Sequence, residues 1–394
     1  MWYVRVVALL VLLSTYVLST PLGVQQAYTI QSNISHEEYT IYRNAPLLTS
    51  WSMRHLELSD GRIMRVPELY KTWLRYRGIR FIDVTDTKVH AVIEGDEAPT
   101  YPTKVRFDAE LERAFQYVCE AGPRSDLKKL TSFFTRYYRS HTGYLSQKWL
   151  QSQVGLLAGM LEAHTSIKVF QHPWPQSTII LHVKGSNETL TEERGVTILG
   201  AHQDSVNFVP VFAAPGADDD GSGTVTLLET LRALGKAGWK PASDVEFHWY
   251  SAEEGGLLGS QAVVDDYVRR HIRVYAMMQQ DMTAYVKSDT KERFGLVTDY
   301  VSPKLTQFLE LLAKHYSDIP MVHTKLHYGA SDHASWTRAG WPSAFVMEAP
   351  FEDCNLRMIH TSLDRYDIPG FSFPHLLRFV KLSMAFVVEL AEWA

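Results

Sequence analysis

The hydrophobic pattern alternates regularly from about residue 126 to the C-terminus. Short runs of apolar and β-branched residues, typical of buried β-strands, alternate with longer segments whose apolar residues recur every three or four positions, as in amphipathic helices. The short runs predict strands at 178–184, 196–200, 244–250, 275–280, 294–298 and 344–347. The longer segments predict helices at 126–139, 145–163, 223–237, 259–269, 303–316 and 373–393. This alternation predicts an α/β fold, a three-layer αβα sandwich with a mixed, mostly parallel central sheet.

The first two predicted helices are separated by a short break. In 126–139, Leu127, Leu130 and Phe133 share one face, and Ser125 suits the N-cap position. The tripeptide His-Thr-Gly at 141–143 is expected to end this helix.

Residues 1–20 differ from the rest of the chain. Arg5 precedes an apolar run that is too short to span a bilayer comfortably, as in a secretory signal peptide, here cleaved between residues 19 and 27. An uncleaved membrane anchor is the alternative. Since no later segment is long and apolar enough to cross a membrane, we predict a secreted, extracellular protein.

A polar region, 21–100, separates the signal peptide from the regular pattern. It contains a basic helix-like stretch followed by a strand-like run within 69–86, and it leads into a linker, 94–104, with acidic residues, proline and small residues. We predict that 21–100 is a propeptide that is removed on activation, and that the main domain is 101–394. A permanent N-terminal extension is the alternative.

Two further features bear on the secretory route. The sequons at Asn33 and Asn187 predict a glycoprotein. The two cysteines, Cys119 and Cys354, either form a disulfide or remain as two buried thiols, since nothing in the sequence gives their separation.

The composition is that of a globular protein, with 45% hydrophobic residues, 21% charged residues and a net charge of −5. The sequence contains no basic run or basic–aromatic patch. Nucleic acid is therefore not expected as a partner.

Acidic and histidine residues follow several predicted strands. The carboxyl ends of parallel strands meet at one edge of a sheet, where α/β proteins bind their ligands. The candidates from strand ends and adjacent loops are His202, Asp204, Asp218, Asp219, Asp220, Glu253, Glu254, Asp281 and His360. We expect them to converge as a metal site.

Two histidines together with three of these carboxylates, and no cysteine, are the ligand types that favour zinc in a catalytic setting. Five ligands exceed what one open zinc site uses. Two zinc ions that share one carboxylate would use all five and leave room for a water between them. Glu253, beside Glu254 but free of metal, would fit as general base.

Six ordered motifs resemble the M28 family of secreted di-zinc aminopeptidases, especially its fungal and bacterial leucine aminopeptidase branch. They are GAHQDS, APGADDDGSG, SAEEGGLLGS, QQDMTAY, SDHASW and IHTSLD. The likeness extends from about Leu127 to the C-terminus, and WLRYRGIRFIDVTD resembles the propeptide of the fungal members. It implies two Zn²⁺ per chain, a catalytic domain at 101–394, and removal of apolar, leucine-like residues from peptide or protein N-termini. We expect a monomer that acts away from membranes.

The resemblance also implies the metal ligands. Asp219 would bridge the two zinc ions, His202 and Asp281 would complete one site, and Glu254 and His360 would complete the other.

Further roles follow from the same resemblance. Glu253 would be the general base and proton shuttle, and Asp204 would hydrogen-bond the far nitrogen of His202. The hydroxyl of Tyr328 would help to stabilise the tetrahedral intermediate. The family commonly has a cis peptide after the bridging residue, here Asp219–Asp220.

One loop departs from the family pattern. Close relatives flank the tyrosine with two disulfide-bonded cysteines, whereas this chain has Leu326 and Ala330. Cys354 stands where those relatives place an aromatic residue in the pocket for the substrate's first side chain. The rest of that pocket is expected to be apolar and lined by Met282, Val297, Met347 and Phe351.

Two alternative functions remain at this point. A single-zinc glutaminyl cyclase shares the fold, but the Asp-Asp-Asp-Gly stretch and the apolar pocket argue against it. A non-catalytic binding protein on the same fold would be expected to lack ligands, and none is missing. Asp332 and His333 are expected to serve structure rather than metal binding.

Overall fold

The computed structural model describes residues 52–87 and 99–394. The predicted signal peptide, the sequon at Asn33 and part of the region 21–100 lie outside the described residues. All described residues belong to one compact unit.

Eleven strands and ten α-helices are formed in this part of the chain. The strands are β1 (Met53–Leu58), β2 (Ile63–Pro67), β3 (Phe81–Asp83), β4 (Thr165–Phe170), β5 (Thr178–Val183), β6 (Val196–His202), β7 (Val245–Tyr250), β8 (Val274–Gln280), β9 (Phe294–Val297), β10 (Met321–Thr324) and β11 (Ser343–Met347). The helices are α1 (Tyr70–Tyr76), α2 (Asp108–Phe115), α3 (Ala121–Leu130), α4 (His141–Ala158), α5 (Glu188–Arg194), α6 (Gly223–Lys236), α7 (Leu258–Arg269), α8 (Pro303–Tyr316), α9 (His333–Arg338) and α10 (Phe373–Ala391).

Eight strands form the central sheet, in the order β10-β9-β11-β8-β6-β7-β5-β4. β6 lies at its centre and runs parallel to both β7 and β8. The β4–β5, β5–β7 and β9–β11 pairs are antiparallel.

Successive residues of the central strands enter different cores on the two faces of the sheet. Ile198 and Met277 belong to one buried apolar cluster, and their neighbours Leu199 and Met278 belong to another. Because side chains alternate along a strand, both faces must be covered. Helices α7 and α9 cover the first face, and α4, α6, α8 and α10 cover the second. The predicted three-layer αβα sandwich with a mixed sheet is confirmed.

Residues 52–87 form a small separate sheet, β2-β1-β3, with α1 packed beside it. Leu56, Val66 and Leu74 are its buried apolar residues. The helix-like and strand-like stretches predicted within 69–86 are α1 and β3. Within residues 52–87 and 99–394, no helix combines the length and hydropathy needed to span a bilayer.

The predicted helix 126–139 is wrong in its second half. Helix α3 ends at Leu130, and the following residues pair instead with the loop after β6. Thr135 forms a parallel bridge with Ala214, and the N–H of Arg136 donates to a serine hydroxyl of that loop at 3.0 Å. This tertiary pairing outweighs the local helical pattern.

The predicted break at 141–143 is also wrong, because helix α4 begins at His141. Ser140 is its N-cap, and Ser140 Oγ accepts a hydrogen bond from the N–H of Gly143 at 2.9 Å. The tripeptide therefore forms the first turn of the helix.

Candidate metal centre

Three neighbouring parallel strands bring predicted ligands to one edge of the sheet. His202 is the last residue of β6, Asp281 directly follows β8, and Glu254 lies in the turn after β7. Since β6 lies between β7 and β8, these three strand ends are adjacent. Asp219 comes from the turn before α6, and His360 comes from the loop before α10.

These five residues form two groups that share Asp219. His202 Nε2 lies 3.1 Å from Asp219 Oδ1 and 3.7 Å from Asp281 Oδ1. His360 Nε2 lies 2.9 Å from Asp219 Oδ2 and 3.1 Å from Glu254 Oε2. In each group the three candidate ligand atoms lie within 4.8 Å of one another. The two oxygens of Asp219 face different groups, as a bridging carboxylate requires.

Several polar atoms of these groups are buried without hydrogen-bond partners. Both ring nitrogens of His202 and Oε1 of Glu254 make no hydrogen bond to any part of the chain that the structure describes. Such atoms cost free energy unless another group satisfies them. Imidazole and carboxylate are ligands that zinc accepts. The residues present therefore fit two divalent metal ions.

The electrostatics of the cluster favour positive charge. Burial lowers the pKa of His202, but the charge of Asp281 and the carboxylates of Asp204 and Asp219 outweigh burial and raise this pKa well above its ordinary value. At His360, burial is likewise outweighed, and the neighbouring carboxylates raise the pKa to about 10. A divalent cation is stabilised by the same field.

Asp204 connects His202 to the turn that carries Glu253 and Glu254. Asp204 Oδ1 lies 3.5 Å from His202 Nδ1, near it but without forming the hydrogen bond that the resemblance implied. In addition, its carboxylate accepts hydrogen bonds from the N–H groups of Glu253 (3.1 Å) and Glu254 (3.3 Å), which the sequence did not predict. Asp204 therefore positions both glutamates.

Glu253 belongs to neither metal group, although it lines the same cavity. Burial raises the pKa of Glu253 well above its ordinary value; the charge of His202 opposes this shift, and the charge of Glu254 adds to it. A carboxylate with a raised pKa beside a metal site is suited to accept a proton during a reaction.

Asp218 and Asp220 hold the backbone around Asp219. Asp220 accepts hydrogen bonds from the N–H groups of His202 (2.9 Å) and Gly223 (2.8 Å), which join the end of β6 to the start of α6. Asp218 accepts a hydrogen bond from the backbone N–H of Ala284, which follows β8, at 3.2 Å. The peptide bond Asp219–Asp220 is cis, as the resemblance implied.

An apolar pocket adjoins the two groups within a cavity of about 280 Å³. Tyr328 and the four predicted apolar residues belong to its cluster. The members of the cluster are Met282, Val297, Leu326, Phe345, Met347, Ala349 and Cys354, with Val301, Tyr328, Ala330, Phe351 and Ile359 packed against them. Cys354 is buried there, whereas Cys119 is exposed, and both thiols are free. Neither alternative for the cysteines, a disulfide or two buried thiols, is therefore correct.

Residues 52–87 cover this cavity. Arg75 and Arg80 are among the residues that line it. The guanidinium of Arg75 donates to the carbonyl oxygen of Glu254, and Lys71 Nζ donates to that of Gly255 at 2.9 Å. The segment thus bonds directly to the turn that presents Glu253 and Glu254.

Comparison with known proteins agrees with this geometry. The profile of peptidase family M28 matches residues 178–381. The chain is 44% identical over 355 residues to leucine aminopeptidase 1 of Grosmannia clavigera, with 85% of each chain covered. The chain belongs to peptidase family M28. Leucine aminopeptidase 1 of Penicillium rubens is 43% identical to this M28 peptidase, with 85% of this chain and 89% of the relative covered.

Solved structures show the same relationship. The LapA aminopeptidase of Legionella pneumophila superposes with a TM-score of 0.74 at 27% identity, covering 86% of this chain and 94% of the other. A glutaminyl cyclase of Porphyromonas gingivalis shares the fold, with a TM-score of 0.55 at 16% identity, covering 69% and 98%. The family predicted from the six motifs is therefore confirmed.

Two residues that support the site in this M28 peptidase were not among the predicted site residues. Asp364 accepts hydrogen bonds from the backbone N–H groups of Asp218 (2.9 Å) and Asp219 (3.1 Å). Ser331 Oγ donates to Asp281 Oδ2 at 2.6 Å. Asp364 is the last residue of the motif IHTSLD, and Ser331 is the first residue of the motif SDHASW. Their place in these motifs was the only sequence signal for a role at the site.

Proposed function

We propose that this M28 peptidase is a secreted, zinc-dependent aminopeptidase that removes apolar, leucine-like residues from the N-termini of peptides and proteins. His202 and Asp281 would hold one zinc ion, Glu254 and His360 a second, and Asp219 both. When bound, two zinc ions polarise a carbonyl group and lower the pKa of a water molecule.

The chain's own residues would move the proton and position the substrate. Glu253 accepts the proton of the attacking water and returns it to the leaving amine. Asp204 keeps Glu253 in place through the N–H of that residue. Tyr328 lines the same cavity, where its hydroxyl stabilises the negative charge that develops on the attacked oxygen. The apolar pocket takes the first side chain.

The observation that supports this proposal most directly is that Asp219 belongs to both ligand groups and faces each with a different oxygen. A glutaminyl cyclase-like enzyme would need only one of these groups. A binding protein on the same fold would not need Glu253, which is half-buried, lines the same cavity and belongs to neither group.

The test is zinc content together with hydrolysis of aminoacyl p-nitroanilides, measured after residues 52–87 have been cut off and removed. We expect two zinc ions per chain and cleavage of the leucine substrate. Glu253→Gln should keep its zinc and lower kcat about 100-fold to 10,000-fold, because it removes the general base. The exposed Glu352→Gln is the matched control.

The outcomes separate the alternatives. One zinc ion per chain with pyroglutamate formation would support the cyclase. Two zinc ions without hydrolysis of any substrate in the panel would support a binding protein. Undiminished activity of Glu253→Gln would refute the assigned base.

We also propose that residues 52–87 are the C-terminal part of a propeptide that inhibits the enzyme until it is removed. Lys71, only 2% exposed, lies 3.1 Å from Glu68 and 2.6 Å from Asp83 within the segment. The N–H of Asp83 donates to the carbonyl oxygen of Gly256 at 3.0 Å. These buried polar contacts support a segment that remains bound over the cavity.

Cleavage in the predicted linker, 94–104, followed by removal of the N-terminal fragment, tests the propeptide. The cut protein should hydrolyse leucine p-nitroanilide faster than the full chain. Equal rates before and after removal would instead support a permanent N-terminal extension.

The remaining proposals are secretion, glycosylation and a monomeric state. Asn187 is exposed, and its side chain accepts a hydrogen bond from the N–H of Leu190 at 3.1 Å. Secreted protein should lose mass on treatment with an N-glycosidase, and sedimentation should give the mass of one chain.

A further inference from the structure

The guanidinium of Arg80 lies between two aromatic rings of the apolar pocket. Its Cζ is 4.6 Å from the ring centroid of Tyr328 and 4.4 Å from that of Phe351. One of its nitrogens donates to the carbonyl oxygen of Leu326 at 3.3 Å. Two ring faces and a carbonyl oxygen thus surround one cation.

Other cations of the same segment have different partners. Arg77 stacks on Trp73 within the segment, at 5.5 Å. Lys71 and Arg75 donate to backbone carbonyls of the turn after β7. Arg80 instead places its charge against side chains of the pocket. Aromatic faces attract cations, and a planar guanidinium stacks well on them.

The two rings belong to the same cavity as the proposed catalytic groups. Tyr328 and Phe351 line it together with Glu253, Glu254 and Asp281. A substrate whose first residue enters the pocket would therefore bring its side chain to these rings once residues 52–87 have left. Its cationic group would take the position that Arg80 takes here.

We propose that Tyr328 and Phe351 form a subsite for the cationic side chain of an N-terminal arginine or lysine, which extends the substrate range beyond apolar residues. The inference rests on the proposed aminopeptidase activity. In the full chain, Arg80 occupies this subsite as a substrate side chain would.

The test uses the zinc-loaded protein after cleavage in the linker and removal of residues 52–87, with p-nitroanilides of arginine, citrulline and leucine. Citrulline matches the shape of arginine but is neutral. Wild type should cleave the arginine substrate with a kcat/KM about twofold to thirtyfold above that of the citrulline substrate, the range expected for a cation–π contact.

Variants of Phe351 connect this ratio to the subsite. Phe351→Leu removes one ring face and should bring the arginine-to-citrulline ratio towards one, whereas Phe351→Tyr should retain it. Phe134→Leu, at an exposed phenylalanine outside the cavity, is the control and should also retain the ratio.

The leucine substrate separates two kinds of failure. If it is cleaved while the wild-type ratio is near one, or while Phe351→Leu leaves the ratio unchanged, the cation subsite is overturned and the aminopeptidase stands. If no substrate is cleaved, both proposals fall.

Discussion

Asp364 offers the sharpest test of how Asp219, the proposed bridging ligand, is positioned. Its side chain is 1% exposed, and its two oxygens accept the N–H groups of Asp218 and Asp219. Asp364→Ala removes both acceptors and leaves the two buried amide groups unpaired. We therefore expect a less stable protein with weaker zinc binding.

The magnitude follows from the number of unpaired groups. A buried polar group without a partner costs about 1–3 kcal/mol, so two of them should lower the free energy of unfolding of the zinc-free protein by about 2–6 kcal/mol. Loss of a residue that orients a metal ligand typically weakens metal binding about 10-fold to 100-fold, and we expect this for zinc.

The destabilisation caused by Asp364→Ala should also depend on pH. Burial raises the pKa of Asp364 to about 7, above the ordinary aspartate value. A carboxyl group with a raised pKa in the folded state makes its full contribution below its unfolded pKa and loses it as the pH rises through the folded pKa. The destabilisation by Asp364→Ala should therefore be larger at pH 5 than at pH 8.

Urea unfolding of the zinc-free protein and zinc titration measure these effects. The control is Asp367→Ala, whose carboxylate is exposed and pairs with Arg365 on the surface. It should change stability by less than about 1 kcal/mol. If Asp364→Ala unfolds at the same urea concentration as this control and binds zinc equally well, Asp364 does not hold the backbone of Asp218 and Asp219 in place.

Three further predictions concern other side chains. His333 belongs to neither metal group, and burial lowers its pKa to about 3. As the pH falls from 7 to 5 the unfolded chain takes up a proton at this histidine before the folded chain does, so the free energy of unfolding of the wild type should fall by about 2 kcal/mol relative to that of His333→Phe. Urea unfolding at both pH values measures this, and an equal change in the two proteins would refute it. Cys119 should react with a thiol reagent in the native protein and Cys354 only after unfolding, so that two fast-reacting thiols would contradict the structure. Lys71→Met removes the buried hydrogen bond to the carbonyl oxygen of Gly255, while Glu68 and Asp83 keep Arg54 as a partner. It should weaken the binding of residues 52–87 by about 1–3 kcal/mol and raise the activity of the uncut chain, whereas the exposed Arg62→Met should not.

The hydrophobic pattern predicted the six inner strands of the central sheet, because the physical cause of that pattern is local, but it did not predict the two edge strands, β4 and β10. Ile198 and Leu199 are consecutive apolar residues that face opposite sides of a strand, so a sheet of such strands must be covered on both faces. The same reasoning placed His202 and Asp281 at strand ends on one edge of the sheet, since parallel strands end at one edge.

The contacts that depend on distant partners were not predictable in this way. Asp364 lies 145 residues from Asp219 in the sequence. A single loop aspartate has the same local pattern whether it faces water or accepts two buried N–H groups. Thr135 and Arg136 likewise follow a helical pattern, yet they bond to the loop after β6. In both cases a tertiary partner, rather than local propensity, decides the conformation.

The turn that carries Glu253 and Glu254 shows how such contacts divide between the two parts of the protein. Asp204 accepts its N–H groups, whereas Lys71 and Arg75 donate to its carbonyl groups. The first set lies wholly within residues 99–394 and would stay if residues 52–87 left, as proposed. The second set would be lost, and water could satisfy the freed carbonyls because the cavity would open at the same time. The glutamates would then keep their positions through Asp204, so that removal of the segment would open the site without dismantling it.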